Sequence, residues 1–176
     1  MTGCASPAPD IVATQQSRQH DASATDGSAL HLEPVRECRD GKYSGIFSSK
    51  PGADGAPSSA LRGLLSFALV KEPSGEFHKV TTGDKLVGSS ESGDSFSADI
   101  DADRSIGCKE GYFAVELING IFVPANTTNQ YPFTGSVTGN YLSADGQEAF
   151  VGSWKSFFLG SLNAEGAWTA VWFGPQ

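Results

Sequence analysis

The sequence predicts an all-β domain, an antiparallel up-and-down β-barrel or two-sheet sandwich of about eight to ten strands, behind a flexible N-terminal tether. Three observations predict it. From Asp40 onward the chain runs in short apolar or alternating segments with a side-chain period of two. Gly, Asn and Asp punctuate those segments, and no long stretch carries the period of an amphipathic helix. Ahead of them, Ala5 to Ser28 is Ala, Ser, Pro, Gln, Asp and Thr with little to bury, the makeup of a solvated linker. A length of 176 residues suits one core rather than two. The expected organisation is therefore an anchor and tether over residues 1–36 and a β domain over 37–176.

Taken in order, the first strands are expected at Lys42 to Ser48 and Leu61 to Val70. Ser58 to Leu65 competes as a short capped helical turn. Gly63 weakens a helix, so a single strand bent or bulged at that glycine is preferred. Phe77 to Thr81, Lys85 to Ser89 and Ser95 to Asp101 follow. Tyr112 to Ile118 and Ile121 to Val123 flank Asn119-Gly120, the pair that best supplies two positive φ angles to a two-residue hairpin. Phe133 to Tyr141, Glu148 to Phe158 and Ala167 to Phe173 complete a meander, with turns expected at Asp145-Gly146 and Glu165-Gly166. Phe150, Trp154 and Phe158 fall on one face, and so do Trp168, Ala170 and Trp172. The last strand has no edge-protecting charge, which suits a central position or a closed barrel. An aromatic-x-Gly-x-apolar pattern recurs at Tyr43, Phe133 and Phe150, as where glycine relieves crowding and a neighbouring aromatic fills the space.

The formal charge is −8, with no cluster of Lys or Arg, which removes the phosphate-neutralising patch that nucleic-acid binding needs. No apolar run approaches the roughly eighteen residues of a membrane helix. Membrane contact is expected only through an N-terminal lipid. Met1-Thr2-Gly3-Cys4 resembles the lipobox of bacterial lipoproteins. That resemblance implies acylation of Cys4, an export signal ahead of it, and a lipid-anchored place in a bacterial cell envelope, periplasmic or surface-exposed. With Cys4 assigned to lipid, Cys38 and Cys108 remain as a pair at what is expected to be one end of the sheet. Their bridge would close a loop of about 70 residues, worth about 4 kcal/mol on a chain-entropy argument, and would belong to an oxidising compartment.

Catalytic groups are scarce. His20 and His31 precede the domain, His78 is expected at its surface, and no nucleophile elbow, zinc helix or phosphate loop occurs. A non-catalytic protein is expected, with a carboxylate-based hydrolase using groups such as Asp99 and Glu116 as the residual enzymatic reading. One segment has metal-ligand spacing. Asp99, Asp101, Asp103 and Glu110 fall where an EF-hand calcium loop puts its first, third, fifth and twelfth residues. Arg104 stands where that loop needs Gly, and strands flank the segment where the motif has helices, so calcium is the sole cofactor candidate.

Tyr43, Trp154, Trp168 and Trp172 are candidates to line an apolar ligand cavity, or to be the core itself. Gly41-Lys42-Tyr43 resembles the Gly-x-Trp opening of lipocalins and avidins. It departs from that pattern in carrying Tyr for Trp and in lacking an arginine on the last strand to pack over the aromatic. The expected function is an envelope lipoprotein whose β domain binds a small apolar ligand inside, or a protein or glycan on its surface. The alternative is an acidic inhibitor of a secreted enzyme, since a charge of −8 can steer a cationic partner.

Overall fold

The computed structural model describes residues 32–50, 61–81, 85–144 and 146–176. Cys4, the linker to His31 and the turn residue Asp145 lie outside the described residues. The strands are β1 (Glu33–Pro34), β2 (Gly41–Ser49), β3 (Leu61–Lys71), β4 (His78–Val80), β5 (Lys85–Ser90), β6 (Ser95–Asp101), β7 (Gly107–Lys109), β8 (Tyr112–Val123), β9 (Tyr131–Ala144), β10 (Gln147–Phe158) and β11 (Ser161–Gly174). No helix occurs among the described residues.

Of the two predicted architectures the barrel is the one formed. Antiparallel pairing runs β2–β3–β5–β6–β8–β9–β10–β11, and β11 returns to β2, closing an 8-strand barrel. The two short strands complete the wall. Leu61 to Leu65 of β3 pair with β5, whereas Leu69 to Lys71 pair with β4. Similarly, β8 pairs with β7 near its start and with β6 further along. Closure leaves the nearly charge-free β11 hydrogen-bonded on both sides, so it has no edge to protect.

Three local expectations are corrected, and one reversal is new. Asn119-Gly120 is not a hairpin: β8 runs through it, and the register with β9 shifts between Leu117 and Gly120. Asn119 does take positive φ, at 52°, but the extra residue is absorbed as a bulge. Glu165-Gly166 lies inside β11, and the chain instead reverses at Leu159-Gly160, both at positive φ. A second tight reversal, Glu110-Gly111 with φ of 51° and 81°, joins the unpredicted β7 to β8. No register shift falls at Gly63; an added Cβ there would meet Val87 O at 2.1 Å and the Phe47 ring at 2.6 Å, so glycine serves close packing rather than a bend.

The β domain also begins before residue 37. Glu33 and Pro34 pair with Ser143 and Leu142 of β9, and Val35 packs against the core. Residues 35–40 then form a strap over the barrel end where β2 begins. The Cys38–Cys108 disulfide, with Cα atoms 6.1 Å apart, ties the strap to β7. Asp40 Oδ1 accepts a 2.6 Å hydrogen bond from Lys71 N and lies 3.3 Å from His78 Nε2.

Inward positions carry the core: Tyr43, Phe67, Phe113, Phe150 and Trp168 pack as one aromatic group, and Phe47, Phe96 and Trp154 as a second. Ring centroids within each group lie 4.6–6.3 Å apart, the range in which tilted and edge-on rings attract. Along the middle of β9 the outward positions are Thr134, Ser136, Thr138 and Asn140.

Candidate functional site

The aromatic set expected to line a cavity fills the barrel instead. Tyr43, Trp154 and Trp168 are at most 3% exposed. Trp168 rests over Gly139 and Gly152, where any Cβ would strike the indole at 2.7 Å, and its Nε1 donates to Thr138 O at 2.8 Å. Trp154 Nε1 donates to Ser48 O at 3.1 Å. The space beside Trp154, Phe96 and Phe133 amounts to about 10 Å³, well below the several hundred cubic ångströms of an ordinary small-molecule site. Of the four residues named as cavity lining or core, Tyr43, Trp154 and Trp168 are therefore packed core.

Trp172 stands apart from that set. It is half-buried at the end of β11, donates from Nε1 to Asp40 O at 3.0 Å, and carries the Arg39 guanidinium 3.7 Å from its ring centroid. Arg39, in the strap between β1 and β2, thus covers the tryptophan near the end of β11.

Burial pushes the Tyr43 phenol above its ordinary pKa, although Tyr141 and the carbonyl of Arg39 oppose the shift. Tyr141 is pushed further up by burial, Tyr43 and Glu148, whose Oε2 accepts its proton at 2.8 Å. Both phenols stay protonated at neutral pH and act as hydrogen-bond donors. His78, expected at the surface, is buried, and burial holds its pKa below the usual imidazole value against the pull of Asp40.

The carboxylates with calcium-loop spacing are not brought together. Asp99 on β6 accepts from Asn119 Nδ2 at 3.2 Å and lies 3.4 Å from Lys85 Nζ. Asp101 caps the following turn by accepting from the backbone N–H groups of Asp103 and Arg104. Glu110 belongs to the next reversal. No cluster of three or more metal-ligating side chains occurs among the described residues. The spacing reflects a strand end and a turn cap, because strands replace the helices that fold such a loop around an ion. Glu116 sits opposite Asp101 on β8 and faces solvent. A buried acid that the sequence did not single out, Asp94, instead joins two loops. It accepts from Ser90 Oγ at 2.7 Å, Ser92 Oγ at 2.9 Å and Ala125 N at 2.8 Å, and these bonds outweigh burial and hold its carboxyl below the usual range.

The surface feature with the most recognition chemistry is the wall formed by β10, β11, β2, β3 and β5. In register across it lie Val151, Thr169, Ile46, Leu64 and Val87, each the direct cross-strand partner of the next. Ile46 and Leu64 are 61% and 60% exposed, Val87 and Val151 42% each. On one side of this ridge the next row reads Ser153, Ala167, Ser48, Arg62 and Ser89; on the other it reads Ala149, Val171, Ser44 and Ser66. Apart from Arg62 and the half-exposed Val171, the flanking side chains are small, and the ridge lies between two surface hollows of about 550 and 620 Å³. Arg62 borders the first hollow; Lys42 and Phe173 border the second. Alternation had shown which faces point out, but not that four outward aliphatics share one row, since register exists only once strands pair.

Comparison with protein-family models, with curated proteins and with solved structures finds no match.

Proposed function

We propose that this chain is an exported bacterial envelope lipoprotein whose barrel is a non-catalytic recognition module, binding a protein partner on its outer wall. The observation that carries the reading is the ridge of Val151, Ile46, Leu64 and Val87: four large aliphatic side chains held in water by a rigid sheet. Exposed aliphatics scattered singly are ordinary, whereas a contiguous row beside hollows has the anatomy of an interaction patch. The filled interior favours this surface over a ligand held inside. Export draws support from the Cys38–Cys108 disulfide, a bond that persists in oxidising compartments, and anchoring from the lipobox-like Met1 to Cys4. The acidic-inhibitor reading draws on a different face, where β6 and β8 carry Asp99, Asp101 and Glu116 and no cation.

The test replaces the ridge. Ile46→Asp with Leu64→Asp changes two solvent-facing side chains, so the thermal midpoint should stay near that of the parent while partner capture weakens by about 2 kcal/mol or more. Undiminished capture by this variant would overturn the outer-wall reading. In producing cells, exported behind a signal sequence, Cys4→Ser should release the protein from the membrane fraction; continued retention would overturn the anchor.

A further inference from the structure

The strands at the centre of the ridge carry cations and no carboxylate. Strands β2, β3 and β5 carry Lys42, Arg62, Lys71 and Lys85 without one carboxylate. Strands β6 and β8 carry Asp99, Asp101 and Glu116 without one cation, and β9 carries no charge. Lys85 pairs with Asp99 where the two groups of strands meet, Lys71 lies 3.8 Å from Glu37, and Arg104 lies 3.7 Å from Asp101. In a chain of net charge −8 the exposed apolar ridge has cations beside it on β2 and β3, while on the flanking strands Glu165 is paired with Lys50 and Glu148 with Tyr141. Lys42 and Arg62 sit on opposite sides of the ridge, both exposed, and neither has a carboxylate partner among the described residues.

We infer, resting on the outer-wall reading above, that the partner is a folded protein presenting an apolar patch bordered by carboxylates. Its patch would cover Ile46 and Leu64, and its acids would meet Arg62 on one side and Lys42 on the other. Three considerations fix this occupant. Charge complementarity calls for an anionic surface, since unpaired cations beside an apolar row repel a basic partner and attract an acidic one. The two hollows suit side chains projecting from a folded surface, whereas a lipid headgroup layer presents no fixed projections. A second copy would have to bring its β6–β8 wall against β2–β3–β5. That contact is heterologous and leaves the same pair of surfaces free at each end, so it would build filaments rather than a closed dimer.

The experiment uses the full chain, exported behind a signal sequence and carrying a photo-cross-linking residue at position 64, in producing cells together with the proteins of their surroundings. The cross-linked partner is identified, purified and studied by binding kinetics. Parallel arms use vesicles of phosphatidylcholine with and without phosphatidylglycerol, and sedimentation of the chain alone. Arg62→Glu with Lys42→Glu should slow association by about tenfold and flatten its salt dependence, leaving dissociation little changed. Ile46→Asp should act on dissociation instead, and Lys109→Glu at the β7–β8 reversal should change neither. An association rate indifferent to the charge reversal, while Ile46→Asp still weakens binding, would overturn the acidic rim and leave the outer-wall reading standing. Indifference to Ile46→Asp, or no cross-linked protein at all, would overturn both. Binding to the anionic vesicles alone would replace the partner with a membrane, and filament growth in sedimentation would replace it with a second copy.

Discussion

His78 illustrates how one side chain can answer to neighbours far away in sequence. Flanked by Phe77 and Lys79 in a short strand, it looks like a surface residue, yet it lies under the strap with Nε2 3.3 Å from Asp40 and faces Cys108 in register. Burial disfavours its charged form more than Asp40 favours it, so the folded-state pKa is lowered. The unfolded chain therefore binds the extra proton more readily, and stability is lost as pH falls through the ordinary imidazole value of about 6.5. Urea unfolding should give a smaller unfolding free energy at pH 5 than at pH 8, and a His78→Asn variant should flatten the difference. A slope of opposite sign would mean that Asp40 dominates. The neighbouring residues on the other groups packed there, Lys71 and Glu37, oppose each other and leave burial in control.

Among elements, the strap is the one whose role exceeds its length. Residues 35–40 reach β9 through Val35 N to Tyr141 O, β7 through the disulfide, β3 through Asp40 and β11 through Arg39 and Trp172. Each contact joins the strap to a different strand, so it behaves as a buckle at one end of the barrel. Cys38→Ser with Cys108→Ser should cost about 2–4 kcal/mol in denaturant unfolding while leaving the sheet intact. A loss well under 1 kcal/mol would show that the noncovalent contacts suffice. The cysteine pairing was legible by elimination once Cys4 was set aside; the strap's reach was not, because residues 33–36 are written in the polar style of the linker before them. The bulge at Asn119 failed for a related reason. Asn-Gly permits positive φ, but whether the chain then reverses or continues is decided by strand partners on both sides, here β6 and β9.

At the scale of the whole molecule, closure makes the interior a fixed volume that its side chains must fill. Trp168→Ala would remove the indole that covers Gly139 and Gly152 and touches Phe67, Phe113 and Phe150. The expected cost is about 3–5 kcal/mol, since a rigid barrel collapses poorly around a void. Added benzene should raise the thermal midpoint of that variant and leave the parent unchanged. Stabilisation of the parent by the same ligand would contradict a filled interior and restore the carrier reading. The same closure assembles the ridge and brings Lys42 and Arg62 to its two sides, so the surface proposed for recognition is a product of the complete circuit of strands.

Much of this architecture was written in the residues themselves: alternation from Asp40 onward dictates extended strands, because only period-two pairing buries Tyr43, Phe150 and Trp168 together while leaving Ser and Thr in water. Alternation is a local property, and it names the buried face of each strand without reference to any other. Which strands meet, and at what register, depends on closure and on the packing of large rings over glycines. That is why the row of Val151, Ile46, Leu64 and Val87, the two cations beside it and the burial of His78 came only with the tertiary structure.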